Sequence, residues 1–345
     1  MRSLLAISIP TFNRADYLGE LLNGICDQIH LLHVSVSVSV FDNASTDGTS
    51  EVVTKAQSVF PFLKYFRHPT NIGGVANILR CVELADADWV WILPDDCILP
   101  KNSIEIMLRR LAGANPPIVY ARCTSWCDDT DNAAVEIDVE SLFLEKSGLW
   151  QRLAWLPCLL LHRDSVHKHI PAAYRLAGFS YPHLVLALSA AKAAPRGSRV
   201  STVPAVFACQ KDKAYRSKRY TWVHGALWNF AQTVRACVDR RTAYRVLRQS
   251  ANSERWGMQV LAHIPTEFSV MPATTPWALV RFYGGCMLPA LSLYIWLRYI
   301  PKSVNRFIFG LLSALSTKGP LMKTNKYWRK LKRHISIESD LDLNF

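Results

Sequence analysis

The hydrophobic positions in the first third of the chain alternate between two patterns. Five apolar or alternating runs are typical of strands, and each of the first four is followed by apolar residues at the three- and four-residue spacing of an amphipathic helix. The runs are Leu4–Ile9, Val34–Val40, Leu63–Phe66, Trp89–Leu93 and Ile118–Tyr120. Strands that alternate with helices of this length form a mostly parallel sheet with helices on its faces. We therefore predict an α/β fold.

A pair of acids follows one of these runs directly. Asp95 and Asp96 come after the apolar run that ends at Leu93, and open α/β sheets bind their ligands at the carboxyl ends of such strands. Adjacent carboxylates repel each other unless a cation lies between them and an anionic ligand, and oxygen ligands suit magnesium or manganese. A solvated acidic turn is the alternative interpretation.

Four segments in order then carry a resemblance: Ile9–Arg14, Phe41–Thr49, Asn71–Gly74 and Leu93–Asp96. Together they resemble the signature of family 2 glycosyltransferases with the GT-A fold. The resemblance covers residues 4 to 125 and is greatest to bacterial transferases that build O-antigen and capsule repeat units, the abequosyltransferase-like group among them. It implies transfer of a sugar, with inversion, from a nucleoside-diphosphate sugar to a hydroxyl of a growing, polyprenyl-linked oligosaccharide.

The resemblance also implies which residues bind the donor. The loop after the first strand would hold the nucleobase, and Asp42 would accept a hydrogen bond from an imide or amine of that base. Asn71 would belong to the same donor site. The loop residues concerned are Pro10, Thr11 and Arg14.

For the acid pair, the resemblance implies two different roles. Asp95 would contact the donor ribose or diphosphate, and Asp96 would ligate a divalent cation, Mn²⁺ or Mg²⁺, that bridges the phosphates. Many relatives have a third acid where Pro94 stands. The predicted metal site therefore rests on fewer protein ligands than theirs.

The general base is not evident from the motifs. Inverting transferases of this fold usually place an acid at a helix start after the sheet, but the comparable stretch Gly178–Leu184 contains none. His183 is our candidate, because an imidazole titrates near neutral pH and can accept a hydroxyl proton. Asp164 and Asp212 are alternative bases, and a purely structural histidine is the other interpretation of His183.

A basic segment follows the strand-like run Val200–Cys209. Arg216–Tyr220 is similar to the Gln/Arg-x-x-Arg-Trp loop of processive relatives, with Tyr220 in place of tryptophan. A mobile loop with several cations that follows the sheet could close over a diphosphate. Arginine suits bidentate contact with phosphate, so Arg219 is a predicted diphosphate ligand. A solvated surface loop is the alternative.

Composition is consistent with a cytosolic enzyme. Half of the 345 residues are apolar, which is enough for a large core. The nine cysteines form no disulfide framework, as expected in a reducing compartment. No basic segment followed by a long apolar segment opens the chain, so we expect the N-terminus to stay in the cytosol.

Charge divides the chain into two unequal halves. Residues 1–150 carry 11 Lys and Arg against 19 Asp and Glu, a net charge of −8, whereas residues 151–345 carry 29 against 8, a net charge of +21. Such an asymmetry predicts an anionic partner for the second half. Nucleic acid and an anionic membrane surface are the two candidates.

The apolar pattern near the C-terminus favours the membrane, and we expect no nucleic acid partner. Phe282–Leu297 is uncharged but interrupted by glycines and a proline, and it is shorter than the roughly 20 residues of a spanning helix. An apolar stripe from Val304 to Leu315 and a basic, aromatic tail follow. This combination is typical of a peripheral anchor on anionic lipid, here the inner face of the cytoplasmic membrane. A core helix with a solvated tail is the alternative.

We therefore predict a GT-A catalytic domain over residues 1–222 and a helical, basic, membrane-associating region over residues 223–345. Two other functions remain open from the residues alone. A nucleotidyltransferase shares this sheet architecture, although its glycine-rich loop after the first strand is missing here. A non-catalytic scaffold could bind anionic lipid or nucleic acid through the basic half.

Overall fold

The computed structural model describes residues 2–29, 35–112, 117–123, 136–144, 149–209 and 227–252. The strands are β1 (Ser3–Thr11), β2 (Val36–Asp42), β3 (Lys64–Arg67), β4 (Ala87–Ile92), β5 (Cys97–Ile98), β6 (Ile118–Cys123), β7 (Glu136–Asp138), β8 (Leu159–His162) and β9 (Arg199–Cys209). The helices are α1 (Ala15–Ile29), α2 (Thr49–Val59), α3 (Gly74–Glu83), α4 (Ser103–Leu111), α5 (Leu149–Leu153), α6 (Arg163–Val166), α7 (Ile170–Arg175), α8 (Pro182–Ala193), α9 (Asn229–Cys237) and α10 (Arg240–Asn252). The predicted alternation of strands and helices is confirmed.

The strands form one mixed sheet in the order β3-β2-β1-β4-β8-β6-β9-β5, with β7 paired to β9. The hydrophobic pattern predicts parallel pairing, and β1 does pair in parallel with β2 and with β4, while β2 pairs in parallel with β3. β8 then runs antiparallel between β4 and β6, and β6 pairs with β9 in parallel. The predicted α/β fold is therefore confirmed, with antiparallel strands added beyond β4.

The order of the parallel strands creates a crevice. The chain moves outward from β1 to β2 and β3, then returns through α3 to place β4 on the other side of β1. Because such crossovers are right-handed, a reversal of direction puts the connecting helices on opposite faces of the sheet. The carboxyl ends of β1 and β4 therefore flank a switch point, where open α/β sheets bind ligands.

The core lies between the sheet and these helices. The central strands β1 and β4 are almost fully buried, and the indoles of Trp89 and Trp91 have 1% and 0% of their surface exposed. The Trp91 indole N–H donates to the carbonyl of Pro157 over 2.8 Å, so this deep side chain is satisfied as a donor. The core thus fixes the ends of β1 and β4 where the acid pair begins.

The chain divides into two compact units. The first comprises Met1–Arg216 and Gln232–Val246, and the second comprises Ser217–Ala231 and Leu247–Phe345. Strands β1 to β9 and helices α1 to α8 belong to the first unit. The division predicted at residue 222 stays a prediction. Within the described ranges, no helix combines the length and the apolar character that a membrane span requires. The apolar stretch 282–297, the stripe that follows it and the basic tail lie outside the described residues.

Candidate active site

The sequence segments at the ends of β1, β2 and β4 meet at one edge of the sheet. Thr11, the last residue of β1, is paired with Asp42, the last residue of β2. On the other side of β1, the N–H of Leu93 donates to the carbonyl of Ser8 as the chain leaves β4. This geometry brings Asp95 within reach of the loop that follows β1.

Asp95 is buried and both of its oxygens accept hydrogen bonds. The hydroxyl of Thr11 donates to Oδ2 over 2.8 Å, and the guanidinium of Arg14 donates to Oδ1 over 2.5 Å. Burial raises the pKa of Asp95 to about 6, although the nearby charge and hydrogen bonds of Arg14 and Thr11 lower it. Asp95 is therefore a carboxylate at neutral pH that is tied to the loop after β1.

Asp96 has a different environment. Its side chain is 23% exposed, against 4% for that of Asp95. Within the part of the chain that the structure describes, its one ion pair is a longer contact of 3.4 Å between Arg14 Nη1 and Oδ2 of Asp96. Asp96 is thus the member of the acid pair that a ligand can reach.

The acid pair fits a divalent cation that binds together with a phosphate ligand. Among the described residues, no group of three or more His, Cys, Asp or Glu side chains is arranged to hold a metal ion. Magnesium, however, is usually bound through one or two carboxylates, with phosphate oxygens and water completing its shell. The accessible oxygens of Asp96 meet that requirement, and the two acids with Arg14 retain one net negative charge for a cation to offset.

Asp42 is the second buried acid at this edge, with none of its surface exposed. Its Oδ1 accepts from the backbone N–H of Ser45 over 2.8 Å, and its Oδ2 accepts from the hydroxyl of Tyr65 over 2.7 Å. The Nε of Arg67 lies 3.5 Å from the same Oδ2. Burial and the hydrogen bond to Asp42 raise the pKa of Tyr65, so this hydroxyl remains a donor.

The loops after β1 and β2 are joined by side-chain hydrogen bonds. The N–H of Asn13 donates to Oγ of Ser45, and the N–H of Thr46 donates to Oδ1 of Asn13. Asn13 adopts a left-handed conformation with φ 53°, which asparagine tolerates better than most residues. These contacts fix the backbone at Asn13, directly before Arg14 and the start of α1.

The loop before α3 is joined to the end of β2 in a similar way. Oδ1 of Asn71 accepts from the amide of Asn43 over 2.9 Å and from the N–H of Gly73 over 2.8 Å. The N–H of Ile72 donates to Oδ1 of Asn43. Gly73 has φ 85°, a conformation that favours glycine. Asn71 therefore shapes the turn beside Asp42.

The structure brings together most of the predicted donor-site residues. Thr11 and Arg14 contact Asp95, Asn71 lies beside the end of β2, and Pro10 is paired with Phe41 within the sheet. Arg219 and the alternative base Asp212 lie outside the described residues. The roles assigned to all of these residues stay predictions.

His183 lies in the interior rather than at an open surface. Only 4% of its surface is exposed, and its Nε2 lies 2.9 Å from the carbonyl of Ala154, to which it can donate a proton. Burial lowers the pKa of His183 to about 4, against the opposing effect of that hydrogen bond. Its buried Nδ1 has no hydrogen-bond partner among the described residues. The imidazole is therefore neutral at physiological pH.

Asp164 is far from the acid pair along the strands. Its carboxylate lies 3.8 Å from the guanidinium of Arg2, and Arg2 also pairs with Asp86, just before β4. This is the amino edge of the sheet, whereas Asp95 follows the carboxyl end of β4. A strand of this length separates its two ends by roughly 20 Å. Asp164 would need a second ligand site to act as the base.

The motifs did not identify the contacts of Tyr65 and Arg67 with Asp42. A signal was present, because these residues are two apart on β3 and therefore share one face of the strand. In the parallel register of β2 and β3, Arg67 is opposite Asp42. A prediction of that register would have placed the guanidinium beside the carboxylate.

Comparison with known proteins places these features in a family context. Residues 6–159 match the family model for glycosyl transferase family 2. The chain is 36% identical to abequosyltransferase RfbV of Salmonella typhimurium over 126 residues, which are 36% of this chain and 38% of the relative. It is 30% identical to an uncharacterized glycosyltransferase of Mycoplasma genitalium over 105 residues, 30% of this chain and 35% of the relative. The chain thus spans less than two fifths of these curated relatives.

The fold also resembles that of a protein of known structure. The structure of S. aureus TarS 1-349 in complex with UDP-GlcNAc superposes with a TM-score of 0.57 at 16% sequence identity. The superposition covers 88% of this chain and 83% of that chain. At this identity the likeness shows a shared GT-A fold.

Proposed function

We propose that the chain is a glycosyltransferase that moves a sugar from a nucleoside-diphosphate sugar to a hydroxyl of a growing oligosaccharide, and the match of residues 6–159 to the glycosyl transferase family 2 model supports this proposal. The similarity to abequosyltransferase RfbV supports an O-antigen or capsule repeat unit as the product class. A polyprenyl-linked acceptor and inversion at the transferred carbon are parts of the same proposal.

The acid pair at the switch point is the observation that carries this function. One carboxylate, Asp95, is buried and anchored to the loop after β1, while its neighbour Asp96 is accessible. A second buried acid, Asp42, lies at the end of the adjacent strand β2. This arrangement suits a donor with a base at one end and a diphosphate at the other.

The residues at the end of β2 would bind the nucleobase. Asp42 accepts from the Ser45 N–H and the Tyr65 hydroxyl, yet a carboxylate offers about four acceptor sites. One of the remaining sites can accept an N–H from the base edge. Because Asp42 is buried, a nucleobase without an N–H at this position would leave an oxygen of Asp42 without a hydrogen bond. That cost would make the site select among nucleobases.

The acid pair would bind the diphosphate. Asp96 would hold Mn²⁺ or Mg²⁺, and such an ion acts as a Lewis acid that offsets the charge developing on the leaving diphosphate. Arg14 places a guanidinium beside both acids, where it can also face phosphate oxygens. The β1 loop and the acid pair therefore orient the leaving group against the end of the sheet.

Inversion requires a base that takes the proton of the acceptor hydroxyl while the bond from the sugar to the diphosphate breaks. His183 offers Nδ1 for this role, because Nε2 is used by the Ala154 carbonyl. An acceptor hydroxyl would have to enter the interior to reach it. Asp164 and Asp212 remain the alternatives.

A thermal-shift panel tests the donor site. UDP, GDP, CDP and dTDP are each added with and without Mn²⁺, and the nucleotide that binds the native protein should raise its melting temperature. Transfer is then assayed with the matching sugar nucleotide. If none of the nucleotides raises the melting temperature, the proposed donor site is wrong.

Substitution of Asp96, the accessible acid, is the most direct test of the proposed metal site. We predict that Asp96→Ala abolishes transfer and removes the Mn²⁺ dependence of nucleotide binding, because Asp96 is the more exposed member of the acid pair and would hold the metal ion. Asp86→Ala, a change of the same type at the amino edge of the sheet, serves as the matched control. Full activity in Asp96→Ala would contradict the assignment.

We further propose that the enzyme works on the inner face of the cytoplasmic membrane as a peripheral protein. The support comes from the sequence: the basic second half, the interrupted apolar stretch 282–297 and the stripe with its basic tail. These segments suit an anionic lipid surface, where a polyprenyl-linked acceptor would also be found.

A further inference from the structure

Arg14 contacts both members of the acid pair. Its Nη1 lies 2.5 Å from Oδ1 of Asp95 and 3.4 Å from Oδ2 of Asp96. We propose that Arg14 is a built-in counter-ion of the acid pair and that it competes with a divalent cation for Asp96. This inference rests on the metal-binding role of Asp96 in the proposed function.

Asp95 acts as the anchor of Arg14 in this arrangement. Its second oxygen, Oδ2, is taken by the hydroxyl of Thr11 over 2.8 Å, and its side chain is only 4% exposed. A buried carboxylate needs such partners to offset its loss of hydration. Removing Arg14 from Asp95 would therefore be costly, so the guanidinium stays beside the acid pair.

Further contacts restrict where the guanidinium can go. It lies over the ring of Tyr17, 5.3 Å from the ring centroid. The backbone on either side of Arg14 is fixed, because the N–H of Asn13 donates to Ser45 and that of Ala15 donates to Asp47. The position of the charge is thus built into the β1 loop and the start of α1.

The contact to Asp96 is the exchangeable one. It is longer than the contact to Asp95, and the Asp96 side chain is more exposed. A dication held by Asp96 would lie close to the guanidinium and be repelled by it, at a distance where the Coulomb energy is substantial. An incoming diphosphate adds negative charge that attracts both the dication and the guanidinium. The metal alone should therefore bind weakly, and nucleotide and metal should bind cooperatively.

Binding of Mn²⁺ alone tests this competition. Free Mn²⁺ is measured by electron paramagnetic resonance as it is titrated into the full chain without nucleotide. We expect Arg14→Gln to lower the Kd for Mn²⁺ by on the order of tenfold, and Asp96→Asn in the same background to remove that gain. The glutamine amide can still donate to Asp95, which limits the loss of stability.

Arg67→Gln is the matched control. It removes the same charge from a guanidinium that lies beside another buried aspartate, Asp42, at the same edge of the sheet. If it strengthens Mn²⁺ binding as much as Arg14→Gln does, the effect is one of net charge and the proposal is overturned. Unchanged Mn²⁺ affinity in Arg14→Gln, or a gain that survives Asp96→Asn, overturns it as well.

A second variant covers a failure of Arg14→Gln to fold. The double variant Arg14→Gln with Asp95→Asn replaces the buried ion pair by a neutral pair of similar shape, and it should bind Mn²⁺ more tightly than Asp95→Asn alone, from which it differs only by the guanidinium charge. Nucleotide binding without metal, measured on the wild type, tests the donor site itself. If the wild type binds nucleotide but Arg14→Gln has the same Mn²⁺ affinity as the wild type, the competition is rejected and the proposed function is not.

Discussion

The two buried aspartates and the accessible one show how individual residues divide the work of this site. Asp42 and Asp95 are each surrounded by donors from the loop or strand beside them, which offsets the cost of burying a charge. Asp96, by contrast, has only the long contact with Arg14 among the described residues. The buried Asp42 and Asp95 are therefore suited to orienting a ligand, whereas the accessible Asp96 is suited to replacing Arg14 by a metal ion.

Asp42→Asn should weaken nucleotide binding while it preserves the fold. The amide oxygen can still accept from the N–H of Ser45, but the negative charge that accepts from the base is lost. A hydrogen bond to a charged group contributes about 1.5–3 kcal/mol, so the Kd should rise by on the order of tenfold or more. Isothermal titration calorimetry with the nucleotide found by the thermal-shift panel measures the change.

Tyr65→Phe provides the comparison for Asp42→Asn. It removes a donor to Asp42 but leaves the carboxylate in place, so the Kd should change less than in Asp42→Asn. Unchanged binding in Asp42→Asn would place the base pocket elsewhere.

His183 should make stability depend on pH. Its pKa is about 4 in the folded protein, because burial disfavours the imidazolium, and about 6.5 in an unfolded chain. The unfolded state therefore binds more protons between these values, so stability is lost as pH falls from 6.5 towards 4. The loss between pH 7.5 and pH 5 should be roughly 2 kcal/mol.

His183→Gln removes this titration while its amide can still donate to the Ala154 carbonyl. In urea unfolding at pH 7.5 and pH 5, the free energy of unfolding of His183→Gln should differ less between the two pH values than that of the wild type. An equal pH dependence in His183→Gln and wild type would mean that the imidazole is protonated in the folded protein too. Transfer assays on the same variant test the base role: that role requires a large loss of rate with little change in donor affinity.

At the scale of elements, one carboxylate begins two helices. Oδ2 of Asp47 accepts from the N–H of Ala15 at the start of α1, and Oδ1 accepts from the N–H of Thr49 at the start of α2. Both helix ends have N–H groups without intrahelical acceptors, so a negative charge there is favourable. Asp47 thus couples the helix that begins after Arg14 to the one that follows Asp42.

Asp47→Ala should lower the free energy of unfolding by about 1–2 kcal/mol or more, since a single lost cap costs about that much. Chemical denaturation measures the loss. Glu51→Ala, another acid in the first turn of α2, is the control and should cost less, because its carboxylate bonds only the Ser50 hydroxyl nearby. Equal losses would mean that Asp47 contributes charge rather than hydrogen bonds to both helices.

Periodic elements were predictable from the sequence, whereas non-local pairings were not. The buried face of α4, which includes Ile104, Met107, Leu108 and Leu111, follows directly from its spacing. β8 is only Leu159–His162, and its position between β4 and β6 depends on pairings with distant segments. Val59 continues the helical spacing of apolar residues Val52, Val53 and Ala56, which predicts a core position, but it is 60% exposed because α2 ends there and Phe60 is buried instead.

In the candidate site, too, some features could be predicted from the sequence and others could not. Its acids stand in motifs at strand ends, so Asp42, Asp95 and Asp96 could be named from the sequence. The direction of Arg14 could not, because it depends on the left-handed backbone of Asn13 and on the cross-loop bonds to Ser45 and Asp47. Sequence pattern identifies which residues reach the edge of the sheet, and backbone geometry decides which of them touch.

At the scale of the whole molecule, the uneven charge is the feature that the described residues do not account for. The acid pair and its neighbours lie in the half with a net charge of −8, and the half with +21 contains the apolar stripe and basic tail. A donor diphosphate needs only a few cations. The larger positive charge of the second half therefore suits an extended anionic surface better than a small ligand.

Flotation with liposomes tests that expectation. We predict that the full chain floats with phosphatidylglycerol vesicles, because each cation near an anionic surface adds about 1 kcal/mol and an apolar stripe adds attachment that salt does not screen. Vesicles of neutral lipid should carry less protein. Deletion of residues 276–345 should leave the protein at the bottom of the gradient and preserve nucleotide binding. Replacing Lys326, Arg329, Lys330, Lys332 and Arg333 by glutamine should reduce flotation at low salt while the stripe retains part of it. A full chain that stays at the bottom at every salt concentration would assign the stripe to a protein core and the tail to solvent.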